Sequence, residues 1–157
     1  MIDTKYKIKS RQALKRIIVN EQKRNKKIVC TNGCFDILHI GHIRLFQFAK
    51  RAGDILVVAI NTDDSVRRFK GNSRPLVNEK ERAEVLSALG CVDYVTFFSE
   101  DTPEKVLRFL KPDILVKGSD YKFKEIVGHN FIKKTMRYPL VKGKSTSEFI
   151  KKITGKN

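Results

Sequence analysis

Apolar runs of strand length alternate with segments of helical period along the chain, which predicts a parallel sheet covered by helices. Leu14, Ile17 and Ile18 place one apolar stripe on a helix over about residues 10–25, with Ser10 as its N-cap and charged residues on its other faces. The first strand is predicted over about 28–31, then a loop through Asp36 and a helix over about 41–52 carrying Leu45, Phe46 and Ala49 and closed by Gly53. The run DILVVAIN, 54–61, is almost continuously apolar and rich in β-branched residues, as a strand buried on both faces near the sheet centre should be. Downstream the pattern predicts a short helix near 63–69, a polar loop at 70–77, and a helix opened by Asn78 and Glu81 in capping-box spacing that ends near Gly90. A strand at Tyr94–Phe98, a helix starting at Thr102–Pro103 and a strand at 113–117 follow. The last elements are a helix over about 124–134, a strand at 138–141 and a final helix begun by Ser145 and Glu148. Taken together, the pattern predicts one α/β domain over 1–157, with helices on both faces of the sheet.

Composition changes this picture little: 157 residues, 41% of them apolar, suffice for one core. Charge changes it more. The formal net charge of +16 is concentrated in residues 1–27 and 121–157, each with ten basic and two acidic side chains, while 28–120 is neutral. Basic ends on a neutral body differ from a basic stripe along a groove, so nucleic acid is an unlikely partner and solvated surface is the plainer reading. An RNA-binding module remains the contrasting class, and it predicts salt-sensitive binding without turnover. Cys30, Cys34 and Cys91 form no CxxC, which argues against disulfides and a tetrahedral zinc site and predicts a reducing, cytoplasmic setting. No run approaches the roughly 18 apolar residues of a membrane span, and MIDTKYKIKS has no apolar signal-peptide region.

The chemistry-bearing stretch is TNGCFDILHIGH, 31–42, at the carboxyl end of the first strand, where open α/β sheets bind ligands. His39 and His42 stand three apart across Gly41, so both rings can share one side of the first turn of the following helix. With the unsatisfied N–H groups and partial positive charge of a helix N-terminus, they make a metal-free phosphate site. Other readings stand beside this one: the two histidines as zinc ligands short of a third, Cys30 and Cys34 as plain strand and loop residues, and Asp36 as a turn residue.

TNGCFDILHIGH resembles the HxGH signature of the cytidylyltransferase-like nucleotidyltransferase superfamily. NTDDSVRRFKGNSRP at 61–75, ERAEVLSALGCVDYV at 81–95, TPEKV and KPDILVKGSDY between 102 and 121, IVGHNF at 126–131 and PLVKGKSTS at 139–147 resemble its heptose 1-phosphate nucleotidyltransferase branch. The resemblance spans residues 28–153. It implies a Rossmann-like, mostly parallel open sheet, and attack of a sugar 1-phosphate oxygen on the α-phosphorus of a nucleoside triphosphate, ATP favoured, with release of pyrophosphate. Mg²⁺ would accompany the triphosphate. Glycerol 3-phosphate with CTP, or a flavin phosphate with ATP, is the neighbouring alternative.

The resemblance also implies roles. His39, His42 and Lys70 would be catalytic; Asn32, Gly33, Cys34, Phe35, Gly41, Lys117, Gly118, Asp120, Ser145, Thr146 and Ser147 would bind nucleotide and phosphate; Asp36, Asn61 and Arg74 would bind substrate. Lys70 and Arg74 also have a plain surface-charge reading, over which the loop formers of KGNSRP and its match to the branch favour a role at the site; Arg82 either reaches the site or pairs with a carboxylate. Lys142 and Lys144 stand where the branch usually has acidic and aromatic residues. The branch is often fused to a sugar kinase, for which this length leaves no room, so a separate kinase is expected upstream. A homodimer is also implied.

Overall fold

A computed structural model describes residues 3–119 and 122–139. Its five strands are β1 (Ile28–Gly33), β2 (Ile55–Asn61), β3 (Tyr94–Phe98), β4 (Ile114–Gly118) and β5 (Lys134–Tyr138), in one sheet of order β3-β2-β1-β4-β5. Every pairing is parallel. The chain builds outward from β1 in one direction through β2 and β3, then returns to its other side with β4 and β5. The strand order therefore reverses between β1 and β4, the place where α/β sheets open a crevice at their carboxyl ends.

Helices cover both faces, as the pattern predicts. On one face lie α2 (Ile40–Arg51) and α4 (Glu79–Ser87), whose Leu45, Phe46, Ala49, Ala83 and Leu86 pack on Val29, Leu56, Val58 and Ile60. On the other, α1 (Arg11–Lys23) and α5 (Glu104–Leu110) bring Leu14, Ile18, Val106, Leu107 and Leu110 onto Ile28, Cys30, Val57 and Ala59. The even–odd alternation of β1 and β2 between these two cores is the period of a strand buried on both sides. Ser10 caps α1, accepting from the Ala13 N–H at 3.2 Å, so this basic helix is an integral layer of the fold. A short α3 (Asp63–Lys70) leads from β2 into the 71–77 loop.

Two expectations need correction. The first strand runs two residues further, to Gly33. The helix expected over 124–134 is absent: a single 3₁₀ turn at Phe123–Glu125 and further turns stand in its place, and β5 begins at Lys134. Gly128 supplies the reason, for its φ of +110° lies outside any right-handed helix. A Cβ there would sit 2.9 Å from Leu115 Cδ2 and 3.0 Å from Ile132 Cδ1, so the backbone is pressed against the core where a side chain would not fit. The final helix from Ser145 and the end of the strand expected at 138–141 lie outside the described residues.

Candidate active site

The β1–α2 loop sets the site. Phe35 adopts φ +48°, a left-handed conformation that costs a non-glycine residue about 1–2 kcal/mol. Burial of its ring against Phe46, centroids 5.0 Å apart, offsets that cost. The turn delivers the chain to the start of α2, where His39 is the N-cap: its Nδ1 accepts the Gly41 N–H at 3.2 Å. Nδ1 is thus an acceptor, and the proton of the neutral ring sits on Nε2. The His42 ring stacks on that of His39, centroids 3.8 Å apart and planes 24° from parallel, and its edge meets Phe35 at 5.2 Å. Burial, then the neighbouring His39 and Lys70, push the His42 imidazole down to about 4, so it is neutral at pH 7. Its Nδ1 is buried with no hydrogen-bond partner among the described residues.

The two histidines open onto a cleft of about 550 Å³ over the carboxyl ends of the strands. Asn32, Gly33, Cys34, Phe35, Asp36, Gly41, Asn61, Lys70, Arg74, Lys117 and Gly118 line it with them. Asp120 and Ser145–Ser147 lie outside the described residues. The expected residues do different work within the cleft. Asp36 faces inward, accepting from the N–H groups of Leu76 and Val77, both at 2.9 Å, and from Arg74 Nε at 2.7 Å. Those bonds hold its carboxyl below the usual range against the raising effect of burial. Asp36 therefore moors the loop that carries Arg74. Asn61 is likewise engaged: Nδ2 donates to Ser65 Oγ at 2.9 Å, and the Cys34 thiol, pushed up by burial, lies 3.7 Å from Oδ1. Lys117 Nζ donates to the Asn32 carbonyl at 2.8 Å, bridging β4 to β1 at the crevice.

Arg82 follows the second of its two sequence readings: it pairs with the Asp63 carboxylate and does not line the cleft. At 2% exposure it donates to the carbonyls of Val77 (2.9 Å), Cys34 (2.5 Å) and Asn61 (2.8 Å) and to Asp63 Oδ1 (2.8 Å), tying together four segments that border the cleft.

Sequence reasoning missed the wall formed by Asp101–Pro103, Glu125–Val127, Phe98 and Tyr138. The 126–131 motif was visible in the sequence, but nothing local assigns it to the cleft. Glu100, held down to about 2 by the Arg11 guanidinium, anchors the first part of this wall to α1 at 2.5–2.8 Å. Arg68 adds bonds to Ser99 and Asp101.

Among the described residues no three His, Cys, Asp or Glu side chains cluster as metal ligands. Each cleft carboxylate already faces a basic group: Asp36 with Arg74, Asp101 with Arg68, Glu125 with Lys122. The described chain thus offers donors and cations for phosphate and no ready cage for a divalent ion.

The parallel sheet carries a paired-histidine helix N-terminus at its switch point, and the chain belongs to the cytidylyltransferase-like family, whose sequence profile matches residues 30–152. It is 51% identical over 155 residues to the bifunctional protein HldE of Citrifermentans bemidjiense, covering 96% of this chain and 32% of the relative. It is 52% identical over 140 residues to the bifunctional protein HldE of Helicobacter pylori, covering 89% and 30%. The chain thus spans about a third of the length of these curated relatives. Among solved structures, the lipopolysaccharide core biosynthesis protein of Thermoplasma volcanium is 31% identical with a TM-score of 0.63, the match covering 74% of this chain and 98% of that one. Pantoate-beta-alanine ligase of Francisella tularensis, 20% identical over 89% of this chain and 68% of its own with a TM-score of 0.63, shares the fold. No helix among the described residues is long and apolar enough to cross a membrane.

Proposed function

We propose that this chain transfers a nucleotidyl group, from ATP by preference, to D-glycero-D-manno-heptose 1-phosphate. A phosphate oxygen of the acceptor attacks the α-phosphorus in line, the bond from that phosphorus to the β-phosphate oxygen breaks, and pyrophosphate leaves with the electron pair. The observation that carries this reading is the stacked His39–His42 pair at the N-terminus of α2, facing a cleft with Lys70 and Arg74. Phosphoryl chemistry of this kind asks for positioning and charge stabilisation and needs no covalent intermediate. His39 presents a fixed Nε2–H, the helix terminus presents N–H groups, and Lys70 and Arg74 bring positive charge to the phosphates. Asp36 and Arg82 act as positioning residues. The relatives named HldE support the heptose acceptor. Mg²⁺ would accompany the triphosphate and supply charge neutralisation at its phosphates. A sugar kinase supplies the acceptor, two copies of the chain associate, and the three free thiols suit a reducing, cytoplasmic setting.

The test is pyrophosphate release with Mg²⁺, crossing ATP, CTP, GTP and UTP with both heptose 1-phosphate anomers and with glycerol 3-phosphate. ATP with one heptose anomer should react, and His39→Ala and His42→Ala should lower kcat on the order of 100-fold or more while keeping the fold. Near-normal rates in both variants, or turnover with glycerol 3-phosphate alone, would overturn this reading.

A further inference from the structure

We propose that Asn32 is a specificity-determining residue whose side-chain oxygen accepts a hydrogen bond from a sugar hydroxyl of one of the two substrates, an inference that rests on the nucleotidyl transfer proposed above. Asn32 lies near the carboxyl end of β1, is 8% exposed and lines the cleft. Its Oδ1 is buried with no hydrogen-bond partner among the described residues. A buried amide oxygen left without a donor costs about 1–3 kcal/mol, so the free protein carries a deficit that a ligand can relieve. The contrast with Asn61 is direct. Asn61 lies on the same side of the neighbouring strand, is buried to a similar degree, and has both ends of its amide engaged.

The chain leaves Asn32 little room to find a partner by shifting. Its backbone pairs with Ala59 across the β1–β2 ladder, and its carbonyl accepts from Lys117 Nζ at 2.8 Å. Alternation along β1 places its side chain with Cys30, on the α1/α5 side of the sheet, away from the helix that carries His39 and His42. A phosphate oxygen is an acceptor and cannot satisfy Oδ1; any phosphate contact of this residue falls to its Nδ2 donors and leaves Oδ1 for a different partner. The partner must be an O–H or N–H. In the transferring complex the α-phosphate stands between two sugars, the ribose of the nucleotide and the ring of the acceptor, and both carry hydroxyls beside the phosphates. Asn32 and Cys34 line the same cleft two residues apart, and on the proposed reading, which puts the phosphates beside Cys34, the sugars adjoin those phosphates while the base stands beyond the ribose. A site that loses a hydrogen bond to a buried group discriminates strongly against the analogue lacking that hydroxyl.

The experiment is a cycle of kcat/KM with the full chain, wild type and Asn32→Leu, over ATP, 2′-deoxy-ATP, 3′-deoxy-ATP and singly deoxygenated heptose 1-phosphates. In the wild type one deoxy position should cost on the order of 10- to 100-fold more than the others. In Asn32→Leu that position alone should become nearly silent, within about 3-fold of the parent substrate. A loss confined to a nucleotide analogue assigns the ribose; a loss confined to a sugar phosphate analogue assigns the acceptor. Asn32→Ser, checked by its thermal melt, carries the comparison should the leucine variant fold poorly. Equal deoxy penalties in wild type and variants at every position overturn the inference. Calorimetric binding of ATP and its deoxy forms separates the two proposals: a hydroxyl preference dependent on Asn32 without any pyrophosphate release refutes the proposed reaction and leaves this inference standing. Silence in both assays removes both.

Discussion

Replacing Arg82 by methionine keeps the length and apolar stem of the side chain and deletes every guanidinium donor. Three main-chain carbonyls and the Asp63 carboxylate lose their partner at once, in a place where the arginine side chain is wholly buried and the aspartate side chain 18% exposed. Four orphaned acceptors at about 1–3 kcal/mol each would sum to more than single substitutions deliver, because Asp63 and the loop ends can reach water after small movements. Removing one partner of a buried charged network typically costs about 3–5 kcal/mol. We expect about 4 kcal/mol, a large part of the roughly 5–15 kcal/mol that holds a domain folded. For a chain of this size, at about 2–4 °C per kcal/mol, Tm should fall by roughly 8–16 °C. Urea unfolding followed by far-ultraviolet circular dichroism measures the difference, with Arg67→Met as the control. Arg67 makes a solvent-exposed i,i+3 pair with Asp64, and its loss should cost less than about 1 kcal/mol. An Arg82→Met protein within about 1 kcal/mol of wild type would refute the reasoning.

Two further outcomes follow from the titrating groups. His42, lowered from the ordinary 6.5 to about 4, binds fewer protons folded than unfolded between those values, so its contribution to stability is present above pH 6.5 and lost as pH falls toward 4. Its imidazole resonances in the nucleotide-free protein should stay constant from pH 8 to about 5.5 and titrate near 4; a midpoint above 6 would contradict the burial of the ring. Glu100, lowered to about 2 by Arg11, contributes stability above its ordinary 4.5 that is lost on acidification toward 2. Glu100→Gln should therefore melt about 2–4 °C below wild type at pH 7, with the gap narrowing as pH falls through the ordinary carboxylate range and closing only near pH 2, and an unchanged gap would count against the pair.

What could be read from sequence divides along a physical line. β2 was legible because its buried, β-branched run cannot be accommodated elsewhere, and α1 because Leu14 and Ile18 repeat at helical period over a good N-cap. The segment after β4 was not, because Ile126 and Ile132 insert into the α1/α5 core through turns whose shape Gly128 permits, and long-range packing leaves no period behind. The site divides in the same way. His39, Gly41 and His42 act within one helical turn and their spacing announces them. Arg82 binds residues 34, 61, 63 and 77, so its role exists only once the chain is folded. Asp36 was visible as a residue, while its bonds to Leu76 and Val77 depend on a loop forty positions away.

The opening of the chain does more than lead into α1. Ile8 bridges Val95 in parallel, Lys9 N–H donates to the Val95 carbonyl at 2.9 Å, and Lys7 Nζ reaches the carbonyls of Leu89 and Val92. β3 is an outermost strand of the sheet, and an outermost strand with unpaired N–H and C=O groups is a template on which another chain can add. One backbone bridge at Val95 and the Arg11 Nε bond to the Phe97 carbonyl cover part of that edge with the molecule's own chain. Partial cover of the β3 edge and the anchoring of the cleft wall through Arg11 and Glu100 thus come from one short stretch of chain.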